Sequence, residues 1–92
     1  MLLAGRMPPF SSTVRSASEG AERILRRVCT RAFGYRLETG VRGWTLRVER
    51  ATDEGWRAYE LAVDPAELSG SLRDAAVRKR LSRAWARQLG VA

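Results

Sequence analysis

Histidine is absent from the chain, and Cys29 is its single cysteine. Without a second cysteine no intramolecular disulfide can form, and without histidine the usual zinc ligand sets cannot be assembled. The lone thiol suits a reducing compartment, and no metal or cofactor is expected. Apolar runs are short as well. None approaches the roughly 20 residues that carry a helix across a bilayer, and Met1 to Ala4 is too short for a signal-peptide core. The expectation is a cytoplasmic chain with no membrane partner. Lysine is also nearly missing, Lys79 being the exception among 17 basic residues.

What the chain has in excess is arginine. Seventeen basic residues against 10 acids leave a formal charge of +7 over 92 residues, which favours a polyanionic partner, either nucleic acid or an acidic protein surface. The excess is unevenly placed. Residues 1–34 hold six basic groups against two acids, residues 35–63 five against five, and residues 64–92 six against three. A hydrophobic fraction of 45% is that of a folding globular chain, and the length accommodates one domain.

Residues 1–17 lack strand or helix periodicity, carry Pro8-Pro9 and have no acid, so they are expected to form a flexible tail before a single domain over 18–92. The same basic, Ser-containing composition also fits a mitochondrial targeting segment, kept as a minor alternative. The first helix is expected from Ser16 or Ser18 to Phe33, ahead of Gly34, with Ala21, Ile24, Leu25, Val28 and Ala32 on its buried face. Arg23, Arg26, Arg27 and Arg31 lie opposite. Cys29, at the stripe's edge, reads as a buried thiol with no base to activate it.

Three stretches then alternate as strands: Tyr35 to Thr39, Trp44 to Ala51, and Trp56 to Val63. Their parity puts Tyr35, Leu37, Trp44, Leu46, Val48, Tyr59, Leu61 and Val63 on one core face. The other face is polar and charge-balanced, and Trp56, which can also cover the sheet edge, is its one candidate exposed ring, short of the two or three that an aromatic stacking platform needs. Gly55 suits the left-handed position of a bulged hairpin. Asp64-Pro65-Ala66-Glu67 starts a short helical turn with a capping residue and a proline at the first position.

Ser71 to Gly90 is the most legible stretch. On a helical wheel Val77, Leu81, Ala84, Trp85 and Leu89 share one side, while Arg73, Lys79, Arg80, Arg83 and Arg87 share the other. Ser71 with Asp74 resembles a capping box, and Gly90 suits the residue that ends a helix. The fold expected is α+β, ordered α-β-β-β-α, with a three-stranded antiparallel meander and two helices packed on one face.

No nucleotide loop, nucleophile elbow or metal-spaced cluster is present, and the acids Glu49, Asp53, Glu54 and Glu60 alternate with arginines instead of pairing in a cleft. The chain is therefore read as a non-enzyme. Its element order resembles that of double-stranded RNA-binding domains and of the HicA-type toxins built on the same plan, over about Ser18 to Gly90. Phe33 to Val48, FGYRLETGVRGWTLRV, is similar to the helix exit and first hairpin of those toxins. The resemblance implies the fold and an RNA partner. Where the toxins carry a catalytic histidine, this chain has Gly40-Val41-Arg42-Gly43-Trp44, so no ribonuclease role is carried over.

Together these features predict a small basic nucleic-acid-binding module, RNA favoured over DNA. Arg73, Lys79, Arg80, Arg83 and Arg87 would contact phosphates, joined by Arg23, Arg26, Arg27 and Arg31. The alternative is an adaptor that docks its basic helix on an acidic protein.

Overall fold

A computed structural model of the chain describes residues 9–91. The elements are α1 (Pro9–Val28), β1 (Phe33–Glu38), β2 (Trp44–Thr52), β3 (Gly55–Val63), α2 (Pro65–Gly70) and α3 (Ala75–Gln88). The fold is α+β. The sheet is an antiparallel meander in the order β1-β2-β3, and the chain that leaves it forms two helices, α2 and α3.

Helix α1 differs from the sequence expectation at both ends. It begins at Pro9, so residues 9–17 belong to the helix and not to a tail, while residues 1–8 lie outside the described residues. Proline at the first helical position loses no hydrogen bond, because the first turn's N–H groups have no helical partners. Ala17, assigned to the tail by sequence, is fully buried and anchors this earlier start. At the other end the helix stops at Val28, five residues before Phe33, because Phe33 is needed in β1, opposite Arg50. Cys29 N–H still donates to the Leu25 carbonyl at 2.7 Å. Ala32 is exposed instead of sharing the helix face, and its carbonyl accepts from Ala51 N–H at 2.9 Å.

The sheet follows its predicted parity. Register pairs such as Leu37 with Leu46 and Val48 with Tyr59 place all eight predicted residues on the helix-facing side. Leu46, Val48 and Leu61 are buried, and the other five are half-buried against them. They meet Ala17, Ala21, Ile24 and Leu25 of α1, Leu68 of α2, and Leu81, Trp85 and Leu89 at α3 in one core. The β2–β3 connection is Asp53-Glu54, closed by the Thr52 hydroxyl, which donates to the Gly55 carbonyl at 2.7 Å and accepts from Glu54 N–H at 3.1 Å.

Asp64 caps α2, its carboxylate accepting from Glu67 N–H at 3.1 Å. The cap of α3 is Asp74, not Ser71: its carboxylate accepts from Ala76 N–H at 2.9 Å and Val77 N–H at 3.4 Å. Ser71 is buried instead and donates to the Leu68 carbonyl at 2.7 Å, holding the turn between the two helices. At its far end α3 closes as expected. Gly90 takes a φ of 73°, and Val91 N–H returns to the Ala86 carbonyl at 2.9 Å.

Both long helices run toward the Asp53-Glu54 hairpin. The connection leaving α1 is tied there by Ala32 and Arg31, and α3 ends where Arg50 donates two hydrogen bonds, of 3.1 and 2.7 Å, to the Leu89 carbonyl. The Arg50 guanidinium also lies 5.6 Å from the centre of the Tyr59 ring. A cation at a helix C-terminus faces the negative end of the helix dipole, so Arg50 fastens α3 to the sheet by charge as well as by hydrogen bonds.

Candidate nucleic-acid interface

Helix α3 holds its cations apart from the core by simple periodicity. With Leu81 and Trp85 buried, Lys79, Arg83 and Arg87 fall on the exposed side at intervals of four residues. At 1.5 Å of rise per residue, neighbours in this row stand about 6 Å apart along the helix axis. That separation is comparable to the spacing of successive phosphates along a nucleic-acid strand. Arg73 is exposed in the turn that precedes the helix, so it sits off the helix face where the sequence pattern placed it.

The acids decide which arginines remain available. On the first helix Arg23 pairs with Glu19 at 3.7 Å and Arg26 with Glu22 at 2.6 Å, both one turn apart. Arg31 stands beyond the end of α1 and pairs with Asp53 of the hairpin at 2.8 Å. Arg80 pairs with Glu67 of α2 at 2.9 Å. Of the nine cations singled out from sequence, these four are locally neutralised. Arg27, Arg73, Lys79, Arg83 and Arg87 are exposed, with no ion pair or side-chain hydrogen bond among the described residues. Exposed ion pairs are worth only about 0–1 kcal/mol, so an arriving phosphate could recruit the paired arginines, but at a distance their field is cancelled. The basic faces of the two helices are thus unequal, and the uncompensated charge gathers on α3.

One cluster had no signal in the sequence. The Tyr35 hydroxyl donates to Glu22 at 2.9 Å, and the same carboxylate accepts from Arg26. The residues belong to different elements, and only the tertiary fold joins them across the seam between α1 and β1. The Tyr35 hydrogen bond, followed by Arg26, holds the Glu22 carboxyl below the usual carboxylate range, which makes it a poor proton acceptor near neutrality. Burial raises the Tyr35 phenol, and Glu22 reinforces the rise. Burial also raises the Cys29 thiol, with Arg50 opposing, so this thiol is chemically quiet.

No family model, curated protein or solved structure matches the chain. Among the described residues no helix is long and apolar enough to cross a membrane.

Proposed function

We propose that the chain is a small nucleic-acid-binding module, RNA ahead of DNA, that places the outer face of α3 against a phosphate backbone. Lys79, Arg83 and Arg87 contact successive phosphates, and Arg73 extends the contact beyond the helix start. The observation that carries this reading is the four-residue repeat of exposed cations lacking any acidic partner on α3, whereas Arg23, Arg26, Arg31 and Arg80 are each paired with an acid. Arginine's planar donors suit bidentate phosphate contacts and stacking on unpaired bases, which favours RNA. Arg80, once released from Glu67, joins the same face, whereas Arg27 alone of the first-helix group adds an unpaired charge and Arg23, Arg26 and Arg31 contribute only when released from their acids.

Fluorescence anisotropy with labelled RNA and DNA of equal length, over a series of salt concentrations, tests the proposal. Four neutralised phosphates give a log-log salt slope of about −2.8 on single strands and about −3.6 on B-form DNA. Arg83→Glu with Arg87→Glu should abolish binding at moderate salt, while Arg23→Gln with Arg26→Gln should weaken it only slightly. No binding at low salt, or binding unchanged by the α3 reversals, overturns the proposal.

A further inference from the structure

The face of the sheet turned away from the helices holds a second feature, independent of α3. Nine of the ten acids in the chain are engaged. Glu19, Glu22, Glu38, Asp53, Glu54, Glu60 and Glu67 each pair with an arginine, and Asp64 and Asp74 cap helices. Glu49 alone makes no ion pair or hydrogen bond through its side chain among the described residues. A chain of charge +7 leaves this carboxylate uncompensated in the middle of its central strand.

The register shows why no internal cation reaches it. Across the sheet Glu49 stands between Gly34 and Ala58, neither of which carries a polar group or rises above the floor. In the next row Arg47 is drawn away, 2.7 Å from Glu60 and 3.5 Å from Glu38, and Arg36 is held at 3.2 Å from Glu38. The result is an open groove of about 690 Å³ with Glu49 in its floor and the Arg36–Arg47–Glu60 row along one side. Beyond the groove's lining the register puts Trp56 on the same sheet face, opposite Ala51 and diagonal to Glu49, and the residue is 63% exposed. Diagonal neighbours in an antiparallel pair stand about 7–8 Å apart, within reach of an aromatic side chain, so the register brings Trp56 and Glu49 near enough for one flat cation to meet both.

We infer that this groove receives an arginine side chain of a separate partner protein, its guanidinium hydrogen-bonded to Glu49 and stacked on Trp56. Arginine matches the site better than lysine because its planar fork serves a carboxylate and an aromatic face together. A separate partner matches better than a second copy, because two chains of +7 repel one another. The site lies on the face opposite the helices and does not depend on the role proposed for α3.

The test is an NMR titration of the isotope-labelled full chain with acetyl-Gly-Arg-Gly-amide, carried into the millimolar range, beside the same peptide with citrulline for arginine. Saturable shifts are expected at the Gly34, Glu49 and Ala58 amides and at the Trp56 indole. The citrulline peptide and Glu49→Gln should each lose affinity by about tenfold or more, the loss of a charge-assisted contact, and Trp56→Ala should lose several-fold. Glu49 and Trp56 are exposed, so both variants keep the remaining spectrum, and Arg83→Glu with Arg87→Glu should leave the titration unchanged. Equal binding of the citrulline peptide, or unaltered binding by Glu49→Gln, overturns the inference. So does movement of these resonances with protein concentration alone, which would make the arginine donor a second copy.

Discussion

Gly20 lies within a 20-residue helix, where helix propensity favours alanine by about 0.8–1.0 kcal/mol. The fold predicts the opposite sign for Gly20→Ala. A Cβ there would lie 2.0 Å from the Leu68 carbonyl oxygen, 2.9 Å from its carbon and 3.0 Å from the Ser71 hydroxyl. The obstacle is backbone, and the oxygen is pinned by the Ser71 hydrogen bond, so rotating a side chain cannot relieve it. Restoring a separation of even 3.0 Å requires α1 and α2 to part by about 1 Å. Parting them loosens Leu68, which is 1% exposed, from Ala17 and Ala21 in the core. Forcing extra volume into a packed contact costs about 1–3 kcal/mol, and partial exposure of one leucine adds up to about 2 more. After the propensity gain is subtracted, the sum runs from about 0 to about 4 kcal/mol, and the 2.0 Å contact with fixed backbone puts Gly20→Ala in the upper part of that range. Gly70 is the control, since a Cβ there meets nothing within 4 Å, and Gly70→Ala should gain about 0.5–1 kcal/mol. Urea unfolding followed by circular dichroism reads both as midpoint shifts at constant slope. A Gly20→Ala midpoint equal to or above that of the parent chain would refute the close approach of α1 to α2.

Arg50→Ala removes two hydrogen bonds to the Leu89 carbonyl, the charge at the α3 C-terminus and the contact with Tyr59; a loss of about 2 kcal/mol is expected in the same assay, and Arg50→Lys should recover less than half of it. The pH dependence of stability should show Glu22. Its folded carboxyl titrates below the unfolded one, so its contribution is complete above the ordinary carboxylate range and is lost as pH falls through the depressed value. Tyr35→Phe removes the leading cause and should flatten that acid limb in unfolding curves measured from pH 7 downward.

Periodicity and local chemistry made most of the fold legible. Alternation assigned the eight helix-facing strand residues, because a single register slip would turn them all to solvent. The Asp64-Pro65 start and the Gly90 end were readable because their backbone demands are local. The start of α1 was not, since Pro9 as a first helical residue and Pro9 as a helix breaker look alike until Ala17 is seen to be buried. Its end was hidden as well: Cys29 to Ala32 continue a helical pattern, but the β1–β2 ladder claims Phe33. Capping by Asp74 in place of Ser71 has a similar cause, because a buried serine that holds a tertiary turn carries the same sequence mark as a cap. For the candidate site, sequence located the cations but not their partners. The i,i+4 pairs Glu19–Arg23 and Glu22–Arg26 were within reach of spacing rules, while Arg31–Asp53 and Arg80–Glu67 exist only in the fold.

The distribution of partners says more than the net charge does. Seven basic side chains, Arg15, Arg27, Arg42, Arg73, Lys79, Arg83 and Arg87, make no ion pair or hydrogen bond among the described residues, and four of the seven fall between positions 73 and 87. Like charges one turn apart destabilise a helix by about 0.2–0.5 kcal/mol per pair. Lys79 with Arg83, and Arg83 with Arg87, therefore weaken the helix that closes the core. Solubility alone would be served as well by scattered cations at the same net charge, without this concentrated repulsion. An external anion on α3 removes it, so binding there contributes to the stability of the helix and not only to the affinity of the complex. The carboxylate left over on the other face of the sheet has no such repulsion to relieve. Its proposed ligand is a cation, so the ligands proposed for the two faces carry opposite charge.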